Sequence, residues 1–340
     1  MQTTPVDVLI TLPIPPALVD AIQNVSPRLR VTVHTANKPE EIPEELWSRC
    51  EVLYTDQVLP DPEKALRLRW VQFHYAGIDK LLGAPILGKV DLMVTTLSGA
   101  AVSQMAEYVL TMLLGLGHHL PDLAAAQKKA EWPRERWERF SPRELRDSTV
   151  GIVGYGSIGR QIARLLQTFG TTVLATKRDA MHPADSGYTP EGLGDPEGNF
   201  VNRLYPAQAL RSMVKDCDFV VVTVPLTDET RGMLNAQVLA AFKPRAFLID
   251  ISRGGIVDNT ALIKALQEKK IAGAALDVFP EEPLPSSSPL WAMPNVIITP
   301  HISGNSPKYD ERAMTLFIEN LGRYLTNLPL FNLFDSKRGY

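Results

Sequence analysis

The stretch that decides the fold is 150-VGIVGYGSIGRQIARLLQTFG-170. An apolar run ends at Val153, glycines follow at Gly154, Gly156 and Gly159, and a helical pattern opens with Ile162, Leu165 and Leu166 on one face. Strand, tight turn and helix in that order form the first unit of a dinucleotide-binding βαβ fold. Each glycine answers a separate demand. Gly154 permits the turn, Gly156 lets the backbone approach a pyrophosphate, and Gly159 allows close helix–sheet packing. The helix N-terminus offers N–H groups and partial positive charge to the phosphates. The glycine spacing alone would also fit a tight turn with no ligand; the strands that follow decide for a dinucleotide.

Working outward, strands are expected at Val150–Val153, Val173–Ala175, Phe219–Val224, Ala246–Ile251, Ala274–Val278 and Val296–Thr299. Six strands match a doubly wound parallel sheet. One segment breaks the rhythm: Asp179–Pro206 holds four Gly and four Pro in 28 residues, too many breakers for a regular element. Upstream, Val6–Ile10, Leu29–Val33, Val52–Thr55, Trp70–Phe73 and Met93–Thr95 alternate with helix-compatible segments and imply a second parallel sheet. From Ala100 to Ala130 the spacing of Met105, Val109, Met112, Leu113 and Leu116 predicts one long helix, weakened locally by Gly115 and Gly117. Pro307–Leu325 reads as an amphipathic helix returning to the first domain.

The chain has 340 residues, enough for two domains, with 45% hydrophobic and 21% charged residues. A formal net charge of −3 supplies no basic field for nucleic acid or an anionic membrane. Cys50 and Cys217 match no metal or redox spacing and fit a reducing compartment. Pro5 and Asp7 stand where a signal peptide needs a basic start and a clean apolar run. The longest apolar stretch, Tyr108–Gly117, is about half of a bilayer span. A cytoplasmic protein with no membrane or nucleic-acid partner is expected.

A domain that binds NAD usually places a carboxylate on the adenosine ribose at the end of the second strand, about 20 residues past the glycines. Here Lys177 and Arg178 stand there, and no carboxylate occurs before Asp179. Two cations suit a 2′-phosphate, so NADP(H) is favoured over NAD(H). Solvated charges at a strand end, with NAD accepted, are the alternative.

Beyond the glycine turn, 249-IDISRGGIVD-258, 276-LDVFPEEP-283 and 298-ITPHIS-303 arrive in order, with 76-AGID-79 and 225-PLTDET-230. Together these motifs resemble the D-isomer-specific 2-hydroxyacid dehydrogenases over nearly the whole chain. The resemblance implies an α/β protein of two domains. A Rossmann-type doubly wound sheet, residues 105–304, would face a smaller flavodoxin-like substrate domain, residues 1–104 and 305–340, across a cleft. It implies catalytic Arg253, Glu282 and His301, and a substrate carboxylate bound by backbone N–H groups of Ala76 and Gly77, with Tyr75 lining the pocket. For the cofactor it implies Gly154, Tyr155, Gly156, Ser157, Ile158 and Gly159, the strand-end residues Pro225, Thr230, Ile251 and Ser252, and Ser303, Gly304 and Ser103. Asp277 corresponds to the family's group that bonds the carboxamide, and Trp291 is expected over the cleft. The segment 131-EWPRERWERF-140 sits where the family forms dimer contacts, which implies a homodimer.

The residue chemistry points the same way. Reducing a 2-oxoacid needs a hydride, a proton for the carbonyl oxygen and a cation for the carboxylate. The nicotinamide supplies the hydride. A histidine titrates near working pH and suits the proton step. An adjacent carboxylate favours its charged form and fixes its ring, and Arg253 offers a planar fork to the substrate. Singly, each residue reads more readily as structural; three strand ends of one sheet carrying them together favour the site. Two other readings stand beside the dehydrogenase. A phosphite-type dehydrogenase is one; formate-oxidising relatives carry Gln where Glu282 stands. A dinucleotide-sensing protein of the corepressor type is the other. The chain ends about 40 residues after His301, and the extensions of such sensors are not expected in it.

Overall fold

The computed structural model describes residues 4–335 and 338–339. The described residues form two compact units, one from both chain ends (up to Ala101 and from Ser306), the other Val102–Asn305. In chain order the first stretch contains β1 (Val6–Ile10), α1 (Pro16–Gln23), β2 (Leu29–Val33), α2 (Glu44–Arg49), β3 (Val52–Thr55), β4 (Trp70–Phe73) and β5 (Met93–Thr95). The second unit starts with α3 (Val102–Gly117), α4 (Leu120–Lys128) and α5 (Arg136–Arg139). Then follow β6 (Thr149–Val153), α6 (Ser157–Gln167), β7 (Thr172–Lys177), β8 (Arg203–Pro206), α7 (Leu210–Val214) and β9 (Phe219–Val222). It closes with α8 (Ala236–Leu239), β10 (Phe247–Asp250), α9 (Asn259–Gln267), β11 (Gly273–Leu276) and β12 (Val296–Ile298). Helix α10 (Tyr309–Leu325) belongs to the first unit.

The smaller unit holds a parallel five-stranded sheet ordered β2-β1-β3-β4-β5, the flavodoxin-like arrangement. All five strands fall on the expected residues. Strands β1, β3 and β4 are buried at every position, because helices cover both faces of a parallel sheet. Phe317 of α10 lies against Tyr54 and Trp70, with ring centroids at 4.7 and 5.4 Å, and Trp70 Nε1 donates to Thr95 Oγ1 at 2.7 Å.

The larger unit holds a parallel seven-stranded sheet ordered β12-β11-β10-β9-β6-β7-β8. One apolar cluster includes Val153, Val220, Val222 and Leu248, and another includes Val150, Ile152, Val221 and Ile249 with Ala106, Val109 and Leu113 of α3. Residues alternate between the clusters along each strand, as two covered faces require. The sheet has one strand more than expected. β8 pairs with β7 inside the stretch whose Gly and Pro content argued against any regular element. It is an edge strand, and its last residue is Pro206, which lacks a ladder donor and is tolerated at an edge.

The long helix expected from Ala100 to Ala130 is two helices. α3 stops at Gly117, His119 is left-handed (φ 57°), and α4 starts with Pro121 in its first turn. A β-carbon on Gly117 would lie 2.5 Å from the Arg143 carbonyl oxygen, so close packing demands the glycine that weakens the helix. Proline then suits the first turn of the next helix, where its missing N–H has no partner to lose.

Candidate active site

The glycine turn is pinned from both flanking strands. Tyr155 N donates to the Thr176 carbonyl at 2.9 Å, Gly154 N to Thr176 Oγ1 at 3.1 Å, and Thr223 Oγ1 to the Gly154 carbonyl at 2.8 Å. Gly154 has φ 105°, and a β-carbon there would lie 2.7 Å from Val224; one on Gly159 would lie 2.4 Å from the Gly154 carbonyl oxygen. A β-carbon on Gly156 would meet nothing within 4 Å. Gly154 and Gly159 are therefore required by the protein itself, whereas Gly156 leaves open space beside the start of α6. Ser157 opens that helix with no side-chain cap, and Ile158 packs partly into the core. This is the cradle that a pyrophosphate fits.

At the end of β7 the two cations part ways. Arg178 NH2 meets Glu229 Oε2 at 2.9 Å. Lys177 Nζ donates to the carbonyls of His182 and Ala184, the latter at 2.8 Å. Burial and the nearby Arg160 push the Lys177 ammonium below its usual range. The sequence reading gave both cations the same part; here Lys177 ties the following loop and Arg178 alone of the pair engages a carboxylate. Glu229 lies in the loop after β9, where Thr230 Oγ1 donates to the Pro225 carbonyl at 2.7 Å and closes the turn.

The catalytic candidates follow three adjacent strands: Arg253 after β10, Glu282 after β11 and His301 after β12. His301 Nδ1 is 2.9 Å from Glu282 Oε2, while Glu282 Oε1 accepts from Phe279 N at 3.0 Å. One oxygen is held by the backbone and the other orients the imidazole. Arg253 donates to the Ser252 carbonyl at 2.9 Å. The next residue explains how its loop meets the Glu282 loop: a β-carbon on Gly254 would lie 1.9 Å from the Phe279 carbonyl oxygen. Ile251 and Ser252, expected at the cofactor, are both buried.

His301 has φ 53°, an uncommon backbone state for a residue with a side chain. Asp277 holds it there. Fully buried, its carboxylate accepts from Thr299 Oγ1 at 2.6 Å, Ile302 N at 2.9 Å and Ser303 N at 2.9 Å. Tyr108 OH of α3 meets Thr299 Oγ1 at 2.6 Å, and Gln104 Nε2 donates to the Gly304 carbonyl at 2.9 Å. The carboxamide role implied for Asp277 is thus set beside a structural one the sequence did not suggest. Ser103 Oγ lies in α3, 3.4 Å from Glu107 Oε1. Trp291 is exposed, its Nε1 donating to the Pro285 carbonyl at 3.0 Å.

Beneath the Arg253 loop lies Asp250, wholly buried and accepting from Ser252 N at 3.0 Å and Ser252 Oγ. Burial pushes its carboxyl up to about 7; the Ser252 bonds act against that, and neighbouring Asp277 adds to it. The sequence reading expected a strand over Ala246–Ile251 and gave Asp250 no part; its burial comes from the fold. In the smaller unit, Tyr75, Ala76 and Gly77 follow β4 and are exposed. His74 is buried there, its Nδ1 2.7 Å from Tyr54 OH, and burial lowers its pKa against the opposing pull of Asp310 and Asp56. Among the described residues no group of three or more His, Cys, Asp or Glu could hold a metal ion.

A parallel doubly wound sheet, an open glycine cradle and an Arg, Glu and His at adjacent strand ends define a nicotinamide-dinucleotide-dependent oxidoreductase. Residues 110–303 match the family described as D-isomer specific 2-hydroxyacid dehydrogenase, NAD binding domain. An (S)-sulfolactate dehydrogenase of Chromohalobacter salexigens is 36% identical over 239 residues, 69% of this chain and 71% of that one. A glyoxylate reductase of Pyrococcus furiosus is 34% identical over 265 residues, 76% and 73% of the two chains. A D-3-phosphoglycerate dehydrogenase of Methanocaldococcus jannaschii is 30% identical over 263 residues, and the match spans about half of its length, 47%. The crystal structure of a D-isomer specific 2-hydroxyacid dehydrogenase from Xanthobacter autotrophicus Py2, in complex with NADPH and MES, superposes with a TM-score of 0.80 at 31% identity, covering 99% of this chain and 100% of that one. The chain belongs to the D-isomer specific 2-hydroxyacid dehydrogenase family. It is an NAD(P)-dependent enzyme that moves a hydride between a nicotinamide and a 2-oxoacid/D-2-hydroxyacid pair.

The raised Asp250 carboxyl has a consequence for stability. An unfolded Asp releases its proton near pH 3.9, whereas the folded one holds it until about 7. The native state therefore binds more protons between those values, and its stability falls as pH rises through that window. Asp250→Asn keeps an acceptor for Ser252 and removes the charge. Its melting temperature at pH 8 is expected to exceed that of the wild type, with the two converging toward pH 4. Parallel curves from pH 4 to 8 would show that Asp250 is not a buried titrating group.

Proposed function

We propose that the chain reduces 2-oxoacids to D-2-hydroxyacids with NADPH ahead of NADH, as a cytoplasmic homodimer. His301 serves as the acid, Glu282 as its partner and Arg253 as the cation for carboxylate and carbonyl. The observation that carries the reading is the His301–Glu282 contact at 2.9 Å, between the loops after the two strands next to the one that leads to Arg253. When bound, the nicotinamide supplies the hydride to the carbonyl carbon. The proton on His301 Nε2 goes to the carbonyl oxygen while Glu282, at Nδ1, holds the ring and stabilises its charge. Arg253 grips the carboxylate through two parallel N–H bonds and polarises the ketone. In the oxidation direction His301 takes the proton back. The parts given to Ala76, Gly77 and Tyr75 rest on the family resemblance.

The test is a panel of 2-oxoacids (glyoxylate, hydroxypyruvate, pyruvate, phenylpyruvate and branched-chain acids) with NADPH and NADH. Arg253→Ala and His301→Ala should each lower kcat/KM at least about a hundredfold, the scale of a lost general acid or charge-stabilising donor. Near-normal turnover in either would remove this mechanism. Binding of cofactor without turnover of any acid would identify a dinucleotide sensor instead.

Arg178 at the end of β7, with no carboxylate at the ribose position, supports NADPH as the preferred cofactor. The relative from Xanthobacter autotrophicus Py2 carries NADPH. A charge-assisted bond at this exposed place should give about ten- to a hundredfold discrimination in kcat/KM, roughly 1.4–2.7 kcal/mol. Arg178→Ala should collapse it, and added salt should shrink it in the wild type. Equal use of NADH by the wild type would leave Arg178 a solvated surface charge.

The dimer reading rests on Trp132 and Trp137, 84% and 79% exposed, in a stretch that follows the exposed Leu120 and Leu123 in sequence. Aromatic side chains left in water on one segment suit a second copy of the chain. No helix among the described residues is long and apolar enough to cross a membrane. Light scattering should give twice the 37.6 kDa of one chain, and Trp132→Glu with Trp137→Glu should halve it. A wild-type mass of one chain would dismiss the dimer.

A further inference from the structure

The segment between β7 and β8 is a long excursion, yet it is folded tightly onto the glycine-turn helix. Its centre is Arg160 in the second turn of α6, 1% exposed. The guanidinium donates to the Asp195 carbonyl through NH1 and to the Pro183 carbonyl through NH2 at 2.6 Å. It lies 4.7 Å over the Tyr155 ring, and Nε is 3.4 Å from the Asp185 carboxylate. Tyr155 OH donates to Asp195 Oδ2 at 2.5 Å, and that carboxylate, itself buried, also accepts from Asn199 N and Phe200 N at 2.8 and 2.9 Å. Gln161 Oε1 accepts from Gly194 N at 2.6 Å. A buried guanidinium needs a nearby anion and acceptors, and here the excursion supplies the Asp185 carboxylate and two backbone carbonyls.

These contacts lead to the end of β7. Arg160 holds Pro183 and Asp195 together, and Asp185 N donates to the Pro196 carbonyl at 2.8 Å. The chain next to Pro183, at His182 and Ala184, is where Lys177 places its ammonium. Asp179 closes the same turn through His182 Nδ1 at 2.6 Å and Met181 N at 3.2 Å. Arg178 sits between Lys177 and Asp179, each fastened to the excursion.

We propose that residues 179–202 form a cofactor-selectivity element, in which Asp195, Tyr155 and Arg160 lock the excursion and Lys177 transmits that lock to Arg178 at the adenosine 2′ end. Lys177, Asp195 and Arg160 are positioning residues; Arg178 is the group that meets the phosphate. The element favours NADPH by holding the guanidinium in place, and NADH, which lacks the phosphate, gains little from it. The inference rests on the NADPH reading given above.

The test measures dissociation constants of NADPH and NADH by quenching of protein fluorescence in the full chain. It also follows cleavage at Glu191 and Glu197 by a glutamate-specific protease without cofactor. Asp195→Asn turns an amide toward the donors from Tyr155 and Phe200. It should weaken NADPH about tenfold, change NADH less than twofold and speed cleavage severalfold. Tyr155→Phe, which removes a single hydroxyl, should act in the same direction at two- to threefold. If Asp195→Asn and Tyr155→Phe weaken both cofactors equally, or neither, the segment is packing and the inference falls. Arg178→Ala separates the two claims. If it abolishes the preference while both lock variants keep it, only this inference fails; if the wild type shows no preference, the NADPH reading fails first and this one with it.

Discussion

The buried carboxylate of Asp277 is the contact on which the site depends. His301 must leave the sheet in a left-handed backbone state that costs a side-chain-bearing residue on the order of 1 kcal/mol. Three donors from residues 299–303 converge on Asp277 and hold the loop in that state. Because Asp277 follows β11, the His301 loop is referred to a neighbouring strand rather than to its own. The Arg253 loop is referred to the same strand end, through the close approach at Gly254 that a β-carbon would forbid. The proposed acid, its partner and the proposed cation are thus tied to one strand end by backbone contacts.

That dependence explains which parts of the protein were legible in sequence. Strands of a sheet covered on both faces are short unbroken apolar runs, and those of the smaller unit fell on the expected residues. Glycine spacing was equally legible, since Gly154 and Gly159 are forced by atoms a β-carbon would strike. Elements decided by tertiary contact were not. Gly117 ends α3 because Arg143, distant in sequence, packs against it. β8 is a four-residue edge strand among breakers, too short to show a period. Lys177 and Arg178 read alike as cations, and only the folded loop shows that one is bound to carbonyls. Arg160 carried no signal in sequence, and only the fold shows it buried against the Asp195 carbonyl 35 residues away.

Two buried acids beneath a site that receives an anion call for a physical account. Asp250 ends β10 and Asp277 follows the adjacent β11, and each would repel a substrate carboxylate if both were charged in a dry interior. Their hydrogen bonds divide the labour. Asp277 accepts from three donors and so fixes the His301 loop. Among the described residues Asp250 accepts from Ser252 alone, and burial raises its carboxyl. Asp250 anchors the start of the Arg253 loop through Ser252. The same economy appears at the other end of the sheet. The excursion's Asp185 carboxylate and Asp195 carbonyl answer the buried Arg160, and Arg178 at the rim faces the exposed Glu229, a partner that water and a phosphate can readily replace.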